Sequence, residues 1–400
     1  MSATERRNFF GGLWHGALLA LGMAFTQPTT VIASFVADLT GSTVWVGGLS
    51  TVLTVAAALP QVFVARWVEP RSTKMPFLLL AIYLRVASWA VLAWLIFAIG
   101  DSHPELLAWA LVGLLAIFYA GGGLGNIPYT DIIGKVIPAS RRGAFFGGKE
   151  ALAGPLSVGA ALLARRILAG VEYPDSYALL FGLAAAALAT ASIGFWLIRE
   201  PPLADAPGHA QPWRVYWAQL AAAARRLKTL VVVQLLTGFS LMALPFYVVY
   251  AREELGAPAE AVGWFLLAQV IGGVLGNLLW ARLVDRVNSR TMLTACAVTS
   301  MAAPLLAIAL GSLGWWGLLP TFFLAGAAFN GRRVGFQSAL LELAPATERP
   351  TFAALNAVLI LPAAVLPLLA GVLLQTWSYV ALFALTAGFV GLGAVWTRRL

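Results

Sequence analysis

The sequence predicts an all-α integral membrane protein with twelve transmembrane helices, arranged as two parallel six-helix bundles. Three observations lead to this fold class: about twelve long uncharged stretches, basic residues concentrated in alternate gaps between them, and a segment that occurs twice. The composition agrees, because 60% of the 400 residues are hydrophobic and only 11% are charged. A soluble domain carries about 25% charged residues.

Each uncharged stretch is long enough to cross a bilayer, since about 20 apolar residues at about 1.5 Å each span the hydrocarbon core. The predicted spans, numbered 1 to 12 in chain order, cover residues 8–37, 39–65, 75–100, 106–130, 143–164, 176–198, 229–251, 261–281, 291–310, 317–341, 350–374 and 379–397.

The basic residues predict the orientation of the spans. Of the 26 lysines and arginines, 22 lie on one side, if Arg332 and Arg333 at the inner part of span 10 are included. The other side carries only Arg165, Arg166 and Arg252, and the remaining one, Arg85, lies inside span 3. Because cytoplasmic loops are rich in lysine and arginine, the crowded side is predicted to be cytoplasmic, with both termini on it. We therefore expect a multi-pass protein of the plasma (inner) membrane.

The charge and the metal-ligating residues restrict the partners. A net charge of +9 would suggest nucleic acid for a soluble protein. Here most of that charge lies in loops that face anionic lipid, so we expect membrane lipid and no nucleic acid as a partner. Cys296 is the only cysteine, and the three histidines are far apart in sequence. Neither a disulfide nor a metal site is predicted, and no cofactor is expected.

An internal repeat predicts two similar halves. Residues 47–74 recur at 263–290, each copy opening with glycine and ending with the same order of small, basic and acidic residues. The copies share one membrane orientation, as in parallel six-helix halves. We predict an N-terminal bundle, a cytoplasmic linker and a C-terminal bundle, at 1–198, 199–228 and 229–400.

The linker is the longest hydrophilic segment of the chain. Its start is rich in proline and glycine. Its second part, 213–228, mixes aromatic and basic residues, which suits either a helix in the inner membrane interface or a solvated connector.

These features together resemble the major facilitator superfamily over essentially the whole chain. The family's signature is a loop after spans 2 and 8, with a small residue, an acid four positions later and basic residues soon after. The second copy fits it best, as Ala281-Arg282-Leu283-Val284-Asp285-Arg286 followed by Arg290. The first copy departs from it, because Glu69 replaces the usual aspartate and the usual glycine turn is missing.

The resemblance implies that these loops form cytoplasmic latches. Glu69 and Lys74, together with Asp131 on span 4, would hold the inner side closed. An acid at the N-terminus of a helix contributes about 0.3–1 kcal/mol, which suits a switch that has to open. The counterpart latch against span 5 would consist of Asp285, Arg286 and Arg290.

Charged side chains inside the spans are the candidate solute-binding residues, since a charge at mid-membrane costs at least about 2.5–3.5 kcal/mol. Arg85 lies eleven residues beyond Lys74, and therefore roughly 16 Å deep. Arg332 and Arg333 in span 10 point about 100° apart, so one would face a cavity while the other pairs with Glu342 or reaches the interface. Such cations attract carboxylate or phosphate groups. The alternative for Arg85 is a fixed ion pair that braces the N-terminal half. For Arg332 and Arg333 the alternative is that both extend to the membrane surface or pair with acids of the loops.

Two titratable residues are candidates for proton coupling. Glu150 enters span 5, and burial would favour its protonated form and make it a proton carrier. Its alternative role is a salt bridge, with a neighbour of Lys149 or with Arg85. His15 lies eight residues after Arg7 in span 1 and would relay a proton or merely form a hydrogen bond.

The predicted function is secondary active transport of a small organic solute by alternating access, with proton coupling as an option, rather than enzyme catalysis. Nothing resembles a phosphate-cradling loop with lysine and serine or threonine, so ATP is not the expected energy source. The buried arginines favour an anionic or zwitterionic solute. One alternative is a proton-driven multidrug exporter, because Gly154-Pro155 with Gly159 partly resembles the signature of drug/proton antiporters. Another is a lipid-moving or sensing protein on the same fold.

Overall fold

The computed structural model describes residues 2–68, 71–100, 102–202, 213–286, 288–343 and 349–400. The described part is almost entirely helical, and it contains no β-strand. The helices up to the linker are α1 (Ala3–Phe25), α2 (Ala33–Thr40), α3 (Thr43–Val68), α4 (Met75–Ile99), α5 (Pro104–Val136), α6 (Arg142–Gly170) and α7 (Asp175–Leu197).

The helices after the linker follow the same plan, with more interruptions. They are α8 (Trp213–Gly238), α9 (Ser240–Ala243), α10 (Phe246–Glu253), α11 (Ala261–Arg286), α12 (Ser289–Leu310), α13 (Leu319–Leu343), α14 (Arg349–Leu359), α15 (Leu366–Leu373) and α16 (Tyr379–Trp396). Residues 213–228, for which an interfacial helix was one prediction, continue into span 7 as the single helix α8.

Ten helical segments of the described part are long and apolar enough to cross a membrane. They correspond to predicted spans 1 to 9 and 12, which confirms the all-α membrane fold. Spans 10 and 11 correspond to α13 and to the pair α14–α15, which are not among these ten.

Three of the spans are interrupted next to a proline, which lacks the N–H that a continuous helix needs. Span 1 changes to a π-helical turn at Pro28–Ile32, span 7 restarts after Pro245, and span 11 contains a 3-10 turn at Leu361–Val365. Gly41 after α2 and Gly256 after α10 both have positive φ angles, 59° and 63°. The repeat seen in the sequence therefore extends to backbone conformation.

Contacts divide the chain into two compact units. Unit 1 consists of Met1–Gln27 and Val52–Ala210, and unit 2 of Pro28–Thr51 and Gln211–Leu400. The outer part of span 1 and the start of span 2 thus pack with the helices that follow the linker.

Close helix contacts within each unit depend on glycine. In unit 1, a Cβ on Gly11 of α1 would lie 2.6 Å from the Gly194 carbonyl oxygen of α7. In unit 2, a Cβ on Gly272 of α11 would overlap the carbonyl oxygen of Phe323 on α13. These glycines let the backbones approach closely, as is typical of membrane helices.

Candidate functional site

Arg85 on α4 is a partly buried cation to which the described residues offer no acidic partner. Its Nη2 lies 3.4 Å from the Met23 sulfur, and its Cζ lies 4.5 Å from the centre of the Phe118 ring. Its Nε is buried and has no hydrogen-bond partner among the described residues. No carboxylate in the described part lies within salt-bridge distance of its guanidinium. A fixed ion pair is therefore not what the described residues provide.

The surroundings of Arg85 hold its side chain in place but do not neutralise it. Its stem runs across Gly121, where a Cβ would lie 3.1 Å from the arginine Cγ. The ring of Phe118 offers a cation–π contact, which is weaker than an ion pair. The hydroxyl of Tyr119, next to Phe118, is buried and also lacks a partner in the described part.

His15 on α1 is buried and already hydrogen-bonded. Its Nδ1 lies 3.1 Å from the Ala191 carbonyl oxygen, which can only accept, so Nδ1 carries the proton. The ring packs edge-on against Phe195, with centroids 4.3 Å apart. The positive charges of Arg85 and Lys149 both act on it electrostatically. His15 thus forms the hydrogen bond that was the alternative to a role in proton relay.

Glu150 pairs loosely with its neighbour in sequence. Its Oε1 lies 3.8 Å from Nζ of Lys149, and its side chain is 56% exposed, so the prediction that this acid is buried is wrong. The stem of Lys149 crosses α1 at Gly16, where any Cβ would overlap it. Sequence reasoning treated Lys149 only as a neighbour of Glu150, yet it is the cation that this acid contacts.

A second group of charges joins α4, α5 and the end of α7 in unit 1. Asp131 contacts Lys74 at 3.1 Å through Oδ1 and Lys135 at 2.6 Å through Oδ2. Lys135 in turn contacts Glu200 at 3.0 Å. The predicted pairing of Lys74 with Asp131 is therefore present in the structure. We call these four residues the charge network.

Glu200 is the member that sequence reasoning missed. Its side chain is only 3% exposed, and its carboxylate accepts hydrogen bonds from the backbone N–H groups of Lys74 and Met75, at 2.8–3.0 Å. It thus caps the N-terminus of α4, where a negative charge is favourable. The available signal was an acid placed directly after span 6 and before two prolines.

The other predicted latch residues make no ion pair that can be described. Glu69 lies outside the described residues, and so do the side chains of Asp285 and Arg286. Arg290 is exposed and forms no salt bridge in the described part of the chain. The described side chains of unit 2 therefore form no counterpart of the charge network.

Arg332 and Arg333 on α13 face different surroundings, as their spacing predicts. Arg333 is exposed, whereas Nη1 of Arg332 is buried and has no partner among the described residues. The Arg332 Cζ lies 5.3 Å from the Phe336 ring centre. Glu342, the predicted acid for this pair, instead accepts a 2.6 Å hydrogen bond from the Ser289 hydroxyl.

Residues 28–51 are tied to the rest of unit 2 by polar contacts that sequence reasoning did not anticipate. Asp38 and Arg252 form an ion pair at 3.0 Å, and Arg252 also donates to the Ala257 carbonyl oxygen at 3.0 Å. Thr29 and the side-chain amide of Gln269 are hydrogen-bonded at 2.8 Å. Arg252 is one of three basic residues on the predicted outer side, and this pairing accounts for it.

Known proteins share the architecture of this chain. Residues 230–400 match the family model described as Major Facilitator Superfamily. The crystal structure of a bacterial homologue of the iron transporter ferroportin, in an inward-facing state, has a TM-score of 0.73 at 14% identity and covers 100% of this chain and 99% of its own. The xylose transporter XylE from E. coli has a TM-score of 0.72 at 12% identity, covering 100% and 98%.

Other similar proteins agree on the fold and leave the solute open. The nucleoside transporter NupG has a TM-score of 0.73 at 13% identity and covers 98% of this chain and 99% of its own. An uncharacterized protein of Mycobacterium tuberculosis is 28% identical over 221 residues, and the match spans only 42% of that relative's length and 52% of this chain. The chain is a multi-pass membrane protein with the major facilitator transporter fold. The family match itself covers only residues 230–400, and over the whole chain the solved structures show the fold expected from the resemblance.

Proposed function

We propose that this chain is a secondary active transporter that moves a small organic anion across the plasma (inner) membrane by alternating access. The observation that carries the anionic character is the Arg85 guanidinium, whose Nε is buried and which faces no carboxylate in the described part of unit 1. Its role is to bind the anionic group of the solute.

The Arg85 charge is costly to keep inside the protein without a partner. An uncompensated ion inside a protein costs several kcal/mol, and a partner of opposite charge offsets part of that cost. Met23 and Phe118 offer a sulfur and a π face, neither of which carries a negative charge. A carboxylate or phosphate on the solute supplies the missing charge and suits the planar donor fork of arginine.

The charge network supports a switching role at the predicted cytoplasmic end of unit 1. Lys74, Asp131, Lys135 and Glu200 form a continuous chain of ion pairs at 2.6–3.1 Å. We propose that it braces the start of α4, where the loop after span 2 would act as the latch with Glu69. The two pairs made by Asp131 suit repeated opening, because this side chain is 30% exposed and partly exposed pairs contribute little on their own.

We also propose that the transport is proton-coupled, with Glu150 as the proton carrier. Its carboxylate is accessible and shares a weak 3.8 Å contact with Lys149, so protonation would release that lysine. His15 on α1, which is hydrogen-bonded to the Ala191 carbonyl oxygen, is the second candidate for moving the proton. Proteoliposome uptake should fall when the proton gradient is collapsed, and Glu150→Gln should remove this dependence. Uptake that ignores both treatments would show that Glu150 does not couple protons.

The anion proposal is tested by uptake of a panel of organic anions into proteoliposomes that contain the purified full chain. We expect Arg85→Met to lower the uptake of the transported anion at least about tenfold. A hydrogen bond to a charged group contributes about 1.5–3 kcal/mol, and 1.4 kcal/mol corresponds to tenfold. Arg85→Lys should retain part of the uptake.

The matched control is Arg166→Gln, which removes an exposed arginine of the same unit. It should transport like the unchanged protein. Normal uptake by Arg85→Met would overturn the binding role of Arg85, and uptake of cations in preference to anions would overturn the solute class.

A further inference from the structure

Unit 2 carries unused hydrogen-bonding capacity, and we propose that it forms a polar solute subsite made by Arg332, Gln234 and Asn356. This subsite would take a carboxylate that bears an O–H or N–H group next to it, as in a hydroxy acid or an amino acid. The inference rests on the proposed anion transport and narrows its solute class.

Arg332 supplies the positive charge of the subsite. Its buried Nη1 has no partner in the described part of unit 2, and its Nη2 has only a distant one, the Gln234 backbone oxygen at 3.5 Å. The nearby thiol of Cys296 donates to the Ala328 carbonyl oxygen at 3.4 Å, so it offers no negative charge. An anion would supply the hydrogen-bond acceptor and the negative charge that this guanidinium lacks.

Gln234 and Asn356 supply acceptors. They are 5% and 8% exposed, and their side-chain oxygens, Oε1 and Oδ1, are buried without a donor among the described residues. A buried acceptor is satisfied only by an N–H or O–H group. An anion alone would leave both oxygens unpaired, which is why the solute needs donors as well.

The helices that carry the three residues pack against one another, and Arg332 Nη2 lies 3.5 Å from the Gln234 backbone oxygen. Val233, next to Gln234, lies in the same buried cluster as Leu355, next to Asn356. Phe336, one helical turn beyond Arg332, belongs to this cluster as well. Helices α8, α13 and α14 therefore meet here, each contributing one member of the subsite.

Water alone does not complete this arrangement. A cavity beside Arg332, lined in part by Tyr247 and Ser300, has a water-accessible volume of about 10 Å³. That is close to the space one water needs. One water there would hydrogen-bond a single guanidinium nitrogen but would bring no charge. Of the three proposed members, only Arg332 lines this cavity.

The test uses matched carboxylates of three sizes. The sets are propanoate, lactate and alanine; succinate, malate and aspartate; and phenylpropanoate, phenyllactate and phenylalanine. Each compound competes for uptake in proteoliposomes that contain the full chain. In at least one set, the hydroxyl or amino compound should bind at least about tenfold more tightly than the plain carboxylate, because a site built to hydrogen-bond a group discriminates against analogues that lack it.

Variants then assign that preference to the subsite. Gln234→Leu and Asn356→Leu should reduce it below about threefold while the plain carboxylate still binds. Arg332→Met should weaken all members of the set. The control is Gln269→Leu, since the Gln269 amide is already bonded to Thr29. It should keep the preference.

The outcomes separate the two proposals. If no carboxylate of any set is bound or transported, the proposed anion transport itself fails. If plain carboxylates bind as well as their hydroxyl and amino partners, the subsite fails while anion transport stands. The subsite proposal is also overturned if both leucine variants keep the preference for the hydroxyl or amino compound. The preference is compared only in variants that still transport.

Discussion

At the residue scale, Glu200 shows how one side chain connects three helices. Its carboxylate accepts from two backbone N–H groups at the start of α4 and pairs with Lys135 near the end of α5, while its own backbone follows α7. Because it is 3% exposed, water does not replace these contacts.

We therefore expect Glu200→Gln to destabilise the protein by about 1–3 kcal/mol, since a buried charge-assisted contact is lost while one acceptor remains. The thermal unfolding midpoint in detergent should fall. Glu172→Gln, which changes an exposed acid in the same unit, should leave it unchanged. Equal midpoints for the two variants would show that the cap contributes nothing.

At the element scale, glycine contacts decide how closely helices pack. Replacing glycine by alanine is therefore expected to lower the stability at one position and raise it at another. Gly272→Ala would place a methyl group against the Phe323 carbonyl oxygen between α11 and α13, and it should cost about 1–3 kcal/mol. Gly113→Ala on α5 meets nothing within 4 Å and should stabilise by about 0.5–1 kcal/mol. Thermal unfolding of both variants checks this, and a shift of the same sign would contradict it.

The ion pair between α2 and α10 gives a second prediction at this scale. Asp38 and Arg252 are 21% and 23% exposed, so the pair is only partly screened. Asp38→Arg and Arg252→Asp should each destabilise unit 2 by about 1 kcal/mol or more, because like charges then face each other.

The exchanged double variant should recover part of the loss, though not all, since Arg252 also donates to the Ala257 carbonyl oxygen. A double-mutant cycle of unfolding midpoints measures the coupling. Additive losses without recovery would show that the two charges do not interact.

At the scale of the whole molecule, the orientation is the property that the sequence predicts most directly. Cys296 is the only cysteine and is 1% exposed, so single introduced cysteines report accessibility with little background. Ser72 and Ser102 are both exposed and lie in predicted inner and outer loops. In intact cells a membrane-impermeant maleimide should label Ser102→Cys but not Ser72→Cys. The reverse pattern would overturn the predicted orientation.

Some parts of the whole fold could be predicted from the sequence and others could not. The spans were predictable because uncharged runs of more than 20 residues have few other uses, and Lys74 with Asp131 followed from the family's loop. Glu200 was not predictable, because its partner Lys74 lies 126 residues away and only the tertiary fold brings them together. For the same reason, nothing local in residues 28–51 indicates that they pack with unit 2.

The anchoring of Glu200 also bears on how this protein can be produced in the laboratory. The contacts of Glu200 within unit 1 hold the end of α7 in place. The peptide bond that links residue 202 to the downstream segment is therefore not needed for this. A gene divided between codons 203 and 212 should yield two polypeptides that can be expressed from separate promoters, the first with its terminal residues secured. Ending the first polypeptide at 198 would instead leave Lys135 without one of its two carboxylates and α4 without its cap.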